Sequence, residues 1–173
     1  MRLPLAYPSP LPRDALHSKY ARDGGHADCF VLDIRRDVTL AEFVEAFYTT
    51  WLFKCERFIL KWLVRKPSSD FEARALARGQ RTRFAAWSVE ARGENQLLMQ
   101  DFQGKTRSCF IVSPIPGNNL GTRLFFGTGI APSADRKTGD TRLGRGFSLL
   151  LSFHRLYSRA LLGAAHARLA RRS

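Results

Sequence analysis

His154, Tyr157 and Ser158 stand close together near the carboxyl end of the chain, in a run where apolar residues recur every third or fourth position. At roughly 100° per residue, Phe147, Leu150, Leu151, His154, Tyr157, Ser158, Leu161, Ala165 and Leu169 fall on one helical face, with Arg155 and Arg159 pointing away. An imidazole, a phenol and a hydroxyl on an apolar stripe can serve as acid, base or hydrogen-bond anchor for a molecule held in a cavity. The commoner outcome is a core histidine satisfied by Ser158, Tyr157 or a backbone carbonyl, and that plainer reading is favoured.

A second group of candidates is aromatic. Phe47, Trp51, Phe58, Trp62, Trp87, Phe110 and Phe126 are large enough to line a ligand pocket, and equally suited to filling a core. The candidate ligand-binding set is therefore Phe47, Trp51, Trp87, Phe110, Phe126, His154, Tyr157 and Ser158. Glu90 and Asp101 are carboxylates on strands expected to pair, where acid–base work would depend on their geometry. Gly127-Thr128-Gly129 is followed by a polar linker and not by a helix, so it is no dinucleotide loop. Gly144-Arg145-Gly146 precedes a helix but has Leu149 where a third glycine is needed, and reads as a cap. The sequence contains no GxxxxGK[ST], HExxH or GxSxG motif. Cys29, Cys55 and Cys109 are odd in number and widely spaced, which argues against zinc and against a disulfide framework. No metal and no cofactor is expected.

Positioning such groups requires a packed domain, and 173 residues with 45% hydrophobic and 25% charged side chains suffice for one. The 13 Phe, 3 Trp and 4 Tyr exclude a disordered tail. The net charge is +13, from 28 Lys and Arg against 15 Asp and Glu. Such a field attracts nucleic acid, anionic membranes or acidic proteins. Its cations are scattered and mostly Arg, with no dedicated basic arm, so nucleic acid is not the expected partner. The amino terminus lacks the apolar core of a signal peptide, and no apolar run reaches the length of about 18 residues needed to span a membrane. The expected location is cytoplasmic.

Residues 1–25 read as a proline-rich arm, extended along the domain or partly disordered, and residues 26–173 as a single domain. Ala27–Ile34 is a strand. Thr39-Leu40-Ala41-Glu42 is a capping box that opens a helix, and Leu40, Phe43, Val44, Phe47, Trp51, Cys55, Phe58 and Trp62 continue on one face. The β-branched pair Thr49-Thr50 is the place for a bend into two helices. On this phase Trp51 lies mid-face and buried, so Trp51→Ala is expected to cost ~3–5 kcal/mol. Ser69-Asp70-Phe71-Glu72 is a second capping box, with Gly79 closing a short helix through Arg78. Strands follow at 83–89, 96–102, 106–113 and 120–130, separated by short turns, as in an antiparallel meander. A polar linker at 131–146 leads to the helix 147–171. The fold class is α+β: a curved antiparallel sheet wrapped around a long C-terminal helix, with a helical pair after the first strand.

This order resembles the START-like, helix-grip superfamily, which includes the birch-pollen-allergen proteins and polyketide cyclases. The resemblance is carried by strand 27–34, the helical pair within 39–64, the meander 83–130 and helix 147–171. Phe47-Tyr48-Thr49-Thr50-Trp51 and Phe125-Phe126-Gly127-Thr128-Gly129 also look like stretches of bacterial domains of unknown function. The resemblance implies a cavity for a small apolar ligand between sheet and terminal helix, and no particular reaction. The proline arm and the helix at 69–78 depart from the family pattern. One alternative is a cyclase- or hydrolase-like enzyme using His154, with Tyr157 positioning its substrate. Another is weak attachment to anionic membranes through Arg155, Arg159, Arg168, Arg171 and Arg172 with Arg136, Lys137, Arg142 and Arg145.

Overall fold

Strand β2 (His26–Ile34) turns Asp28, Phe30, Leu32 and Ile34 to one face and Cys29, Val31 and Asp33 to the other, following the two-residue period of extended chain. The structure, a computed structural model, describes residues 5–22, 26–63, 65, 67–130 and 145–171, except for the side chains of 59–61, 63, 118–120 and 145–154. The expected linker at 131–146 falls almost wholly outside the described residues, as do Arg136, Lys137, Arg142 and Arg172.

The remaining strands are β1 (Tyr7–Pro8), β3 (Arg83–Phe84), β4 (Trp87–Arg92), β5 (Gln96–Asp101), β6 (Thr106–Ile115) and β7 (Asn118–Ile130). They join β2 in one antiparallel sheet of order β1-β2-β7-β6-β5-β4-β3, which curves without closing. Register sets Phe30 beside Phe126, Phe126 beside Phe110, and Phe110 beside Leu97, a row of large apolar side chains across four strands. The expected strand 83–89 is two strands, because Ala85 adopts a left-handed φ of 51° and turns the chain after Phe84.

Helices cover the face that carries Phe30. Both capping boxes form: Thr39 and Glu42 open α2 (Leu40–Tyr48), and Ser69 and Glu72 open α4 (Asp70–Ala77). The bend falls at Thr49-Thr50. The Thr49 hydroxyl donates to Glu45 O at 2.7 Å, and the Thr50 hydroxyl donates to Phe47 O at 2.9 Å while accepting from Phe53 N at 3.2 Å. Thr50 thereby starts α3 (Trp51–Leu63). Helix α5 (Arg145–Ala170) packs on α2 and β2 through Leu161, Leu162, Ala165 and Leu169. Arg159 does not point into solvent: its Nε donates to Ala6 O at 2.7 Å.

The opposite face is covered by residues of the proline-rich arm. β1 extends the sheet beside β2, and α1 (Ser18–Arg22) lays Tyr20, with Ala15 and Leu16 before it, on Leu98, Cys109 and Ile111. Tyr20 and Lys19 both bond Glu90, which also receives Arg107 Nε at 2.9 Å. Glu90 is thus a tie between arm and sheet. Asp101 stands opposite Trp87, away from Glu90, and accepts from the Lys105 amide in the following turn.

Candidate functional site

Between α3, the middle of α5 and the sheet lies a cavity of about 470 Å³, within the range typical of small-molecule sites. Phe47 and Tyr48 reach it from the end of α2, and Leu52 and Phe53 from the start of α3. Trp87 and Phe126 close it from the sheet, and Leu161 from α5. The wall is predominantly aromatic because the bend at Thr49-Thr50 places the ends of two helices over the Phe-rich row of the sheet.

Polar groups enter the lining from α3, α5 and β6. Glu56 of α3 accepts a hydrogen bond from the Tyr157 hydroxyl of α5 at 2.6 Å, and the Trp87 side chain is a second hydrogen-bonding neighbour. Ser158, only 1% exposed, and Thr106 and Ser108 of β6 complete the polar lining. Beside them Asp28 takes the Thr128 hydroxyl at 2.5 Å on one oxygen, with Arg155 Nε 3.8 Å from the other. Removal from water pushes the Glu56 carboxyl above its ordinary range, although its hydrogen-bond donors pull the other way. Burial and the neighbouring Glu56 likewise push the Tyr157 hydroxyl up. A carboxyl facing a largely apolar cavity can accept a proton, release one, or hold a positive charge.

Of the eight candidate residues, Phe47, Trp87, Phe126, Tyr157 and Ser158 line this cavity. Phe110 lies behind the wall, fully buried, with its ring centroid 4.8 Å from Phe47 and 5.3 Å from Phe126. The His154 side chain lies outside the described residues. Trp51 is neither core nor cavity wall: it is 66% exposed, which overturns its expected burial. A single helical phase from Leu40 to Trp62 would place Trp51 inside. The bend resets that phase, so α3 turns Leu52, Phe53 and Glu56 inward and leaves Trp51, Phe58 and Trp62 outside.

Sequence reasoning missed Glu56, which lies off the apolar face that runs through Trp51, Cys55 and Phe58. The available signal was Glu56 itself, a carboxylate three residues beyond Phe53 and four beyond Leu52. Two other clefts, of about 420 Å³ each, are walled by strand ends and turns around Trp87–Gly104 and Asp37–Thr39, with no facing helix. Cys29, Cys55 and Cys109 are free, and burial pushes the thiols of Cys29 and Cys109 up to about 12, so neither is a ready nucleophile. Among the described residues no three His, Cys, Asp or Glu side chains meet as a metal site, and no helix is long and apolar enough to cross a membrane. Compared with protein-family models, curated proteins and solved structures, the chain matches none.

Proposed function

We propose that the protein binds a small, largely apolar molecule in the cavity between the sheet and helices α3 and α5. In this reading α2 and α3 are the helical pair, and the curved sheet grips α5 as in the START-like, helix-grip superfamily. The observation that carries it is the half-open 470 Å³ aromatic-lined cavity with a few polar groups, Glu56, Tyr157 and Ser158 among them. Titration with N-phenyl-1-naphthylamine, a neutral apolar fluorophore, tests it. Saturable one-to-one binding is expected. Ser108→Leu, which fills the floor, should weaken it about tenfold or more while the near-UV spectrum stays native. Absence of saturable binding, or equal binding by a folded Ser108→Leu variant, would refute the reading.

A second reading, attachment to anionic membranes, draws on α3. Trp51, Phe58 and Trp62 are 66%, 64% and 69% exposed on a chain of net charge +13, and amphipathic indole rings suit the membrane interface. Vesicles containing phosphatidylserine should blue-shift the tryptophan emission at low salt, with the effect fading as salt rises. An unshifted spectrum at low salt would remove this reading.

A further inference from the structure

We propose, resting on the cavity reading above, that the preferred ligand is a small organic cation, a primary or substituted ammonium group on an apolar body, with Glu56 as its counter-charge. Three observations converge on this. Phe47, Tyr48, Phe53, Trp87 and Phe126 line the space with aromatic rings, whose negative faces attract a cation. Glu56 stands in the same lining, oriented by the Tyr157 hydroxyl. Among the described lining residues there is no Lys, Arg or His, although the chain carries 28 Lys and Arg.

The last point is structural and not an accident of composition. The two cations nearest Glu56 along α3 are directed elsewhere. Lys54 Nζ lies 2.6 Å from Asp70 at the start of α4, and Arg57 bonds both Asp70 and Ser68, at 2.5 and 2.6 Å. The Arg57 guanidinium also stacks 5.7 Å from the Phe84 ring centre. Among the described residues the hydrogen-bond partners of the Glu56 carboxylate, Tyr157 and Trp87, are neutral donors. Burial disfavours its ionised form, and an arriving ammonium favours it. The hydroxyls of Thr106, Ser108 and Ser158 can accept the remaining ammonium hydrogens. An anionic ligand would find no counter-charge at Glu56, so the cavity selects against the sign that the whole molecule attracts.

Isothermal titration of the full chain with phenethylammonium, 2-phenylethanol and 3-phenylpropanoate varies the head charge on a constant apolar body. The ammonium is expected to bind about tenfold or more tightly than the alcohol, with the carboxylate weakest. Glu56→Gln should bring ammonium and alcohol within about threefold of each other, whereas Tyr157→Phe, which leaves the charge in place, should keep the preference. Alcohol binding as tight as ammonium binding in the wild type overturns the inference and leaves the cavity reading standing. So does binding of N-phenyl-1-naphthylamine with none of the three. A preference that survives in a folded Glu56→Gln variant overturns the assignment to Glu56. If neither the three compounds nor the fluorophore binds, both readings fall together. The wild-type ranking decides the matter even where a variant fails to fold.

Discussion

Glu56 holds a position whose benefit to binding and cost to folding oppose each other. Its carboxyl titrates above the ordinary value of 4.5 because burial disfavours the charged form. Between that ordinary value and the raised folded one, the folded chain holds more protons than the unfolded chain. Stability from this group is therefore full below about pH 4.5 and declines as pH rises through the folded value. Glu56→Gln removes the charge while keeping an oxygen to accept from Tyr157. The variant is expected to match or exceed the wild-type melting temperature at pH 8, with a smaller advantage at pH 5, while losing ammonium binding. Paired thermal melts at the two pH values check the sign, and a variant that melts several degrees lower at pH 8 would contradict it.

At the scale of the element, the consequence of the bend is the orientation of α3. Thr50 caps the helix with its hydroxyl, and Arg57 anchors the other side to Ser68 and Asp70. Those two ties, with Phe53 buried against Tyr48 and Phe84, set the rotation of the helix about its own axis. Trp51 consequently faces outward, and Trp51→Ala should change stability by no more than about 0.5 kcal/mol. Phe47, four residues earlier, is packed among Phe43, Phe110 and Phe126, and Phe47→Ala should cost ~3–5 kcal/mol. Chemical denaturation of the two variants side by side tests the contrast. Equal losses would mean that α3 is turned differently.

For the whole molecule, the decisive event is docking of the proline-rich arm on the second face of the sheet. His17 is completely buried there, its Nε2 donating to Asp28 O at 3.3 Å. Gly127 makes the room: a Cβ at that position would lie 2.2 Å from His17 Nε2 and 3.0 Å from Asp28 O. Gly127→Ala is expected to displace the arm at a cost of ~1–3 kcal/mol. Burial lowers the His17 imidazole below its ordinary 6.5, so the unfolded chain takes up a proton first as pH falls. The stability tied to neutral His17 is present above about pH 6.5 and is lost below it, by at most about 1.4 kcal/mol per pH unit. Melts from pH 7.5 to 5 should show this slope in the wild type and a shallower one in Gly127→Ala. Identical slopes would argue against His17 as its source.

Much of this architecture was legible because it is written in short-range chemistry. A hydroxyl and a carboxylate three residues apart define both capping boxes, paired threonines mark the bend, and alternation with turn residues marks the strands. Such signals act between residues a few positions apart, where the chain's own geometry decides who meets. The pairings that make the site are of another kind. Glu56 and Tyr157 are 101 residues apart, and His17 finds its space at Gly127 from 110 positions away. Periodicity places Tyr157 and Ser158 on the inward face of the terminal helix, but it cannot say which residue of α3 they meet. Once the bend has broken the phase of the helical face, the rotation of α3 is set by Arg57, Phe53 and the sheet beneath. Tertiary packing alone therefore brought Glu56 into the cavity and put Trp51 outside it, because those contacts depend on the docking of whole elements and not on spacing along the chain.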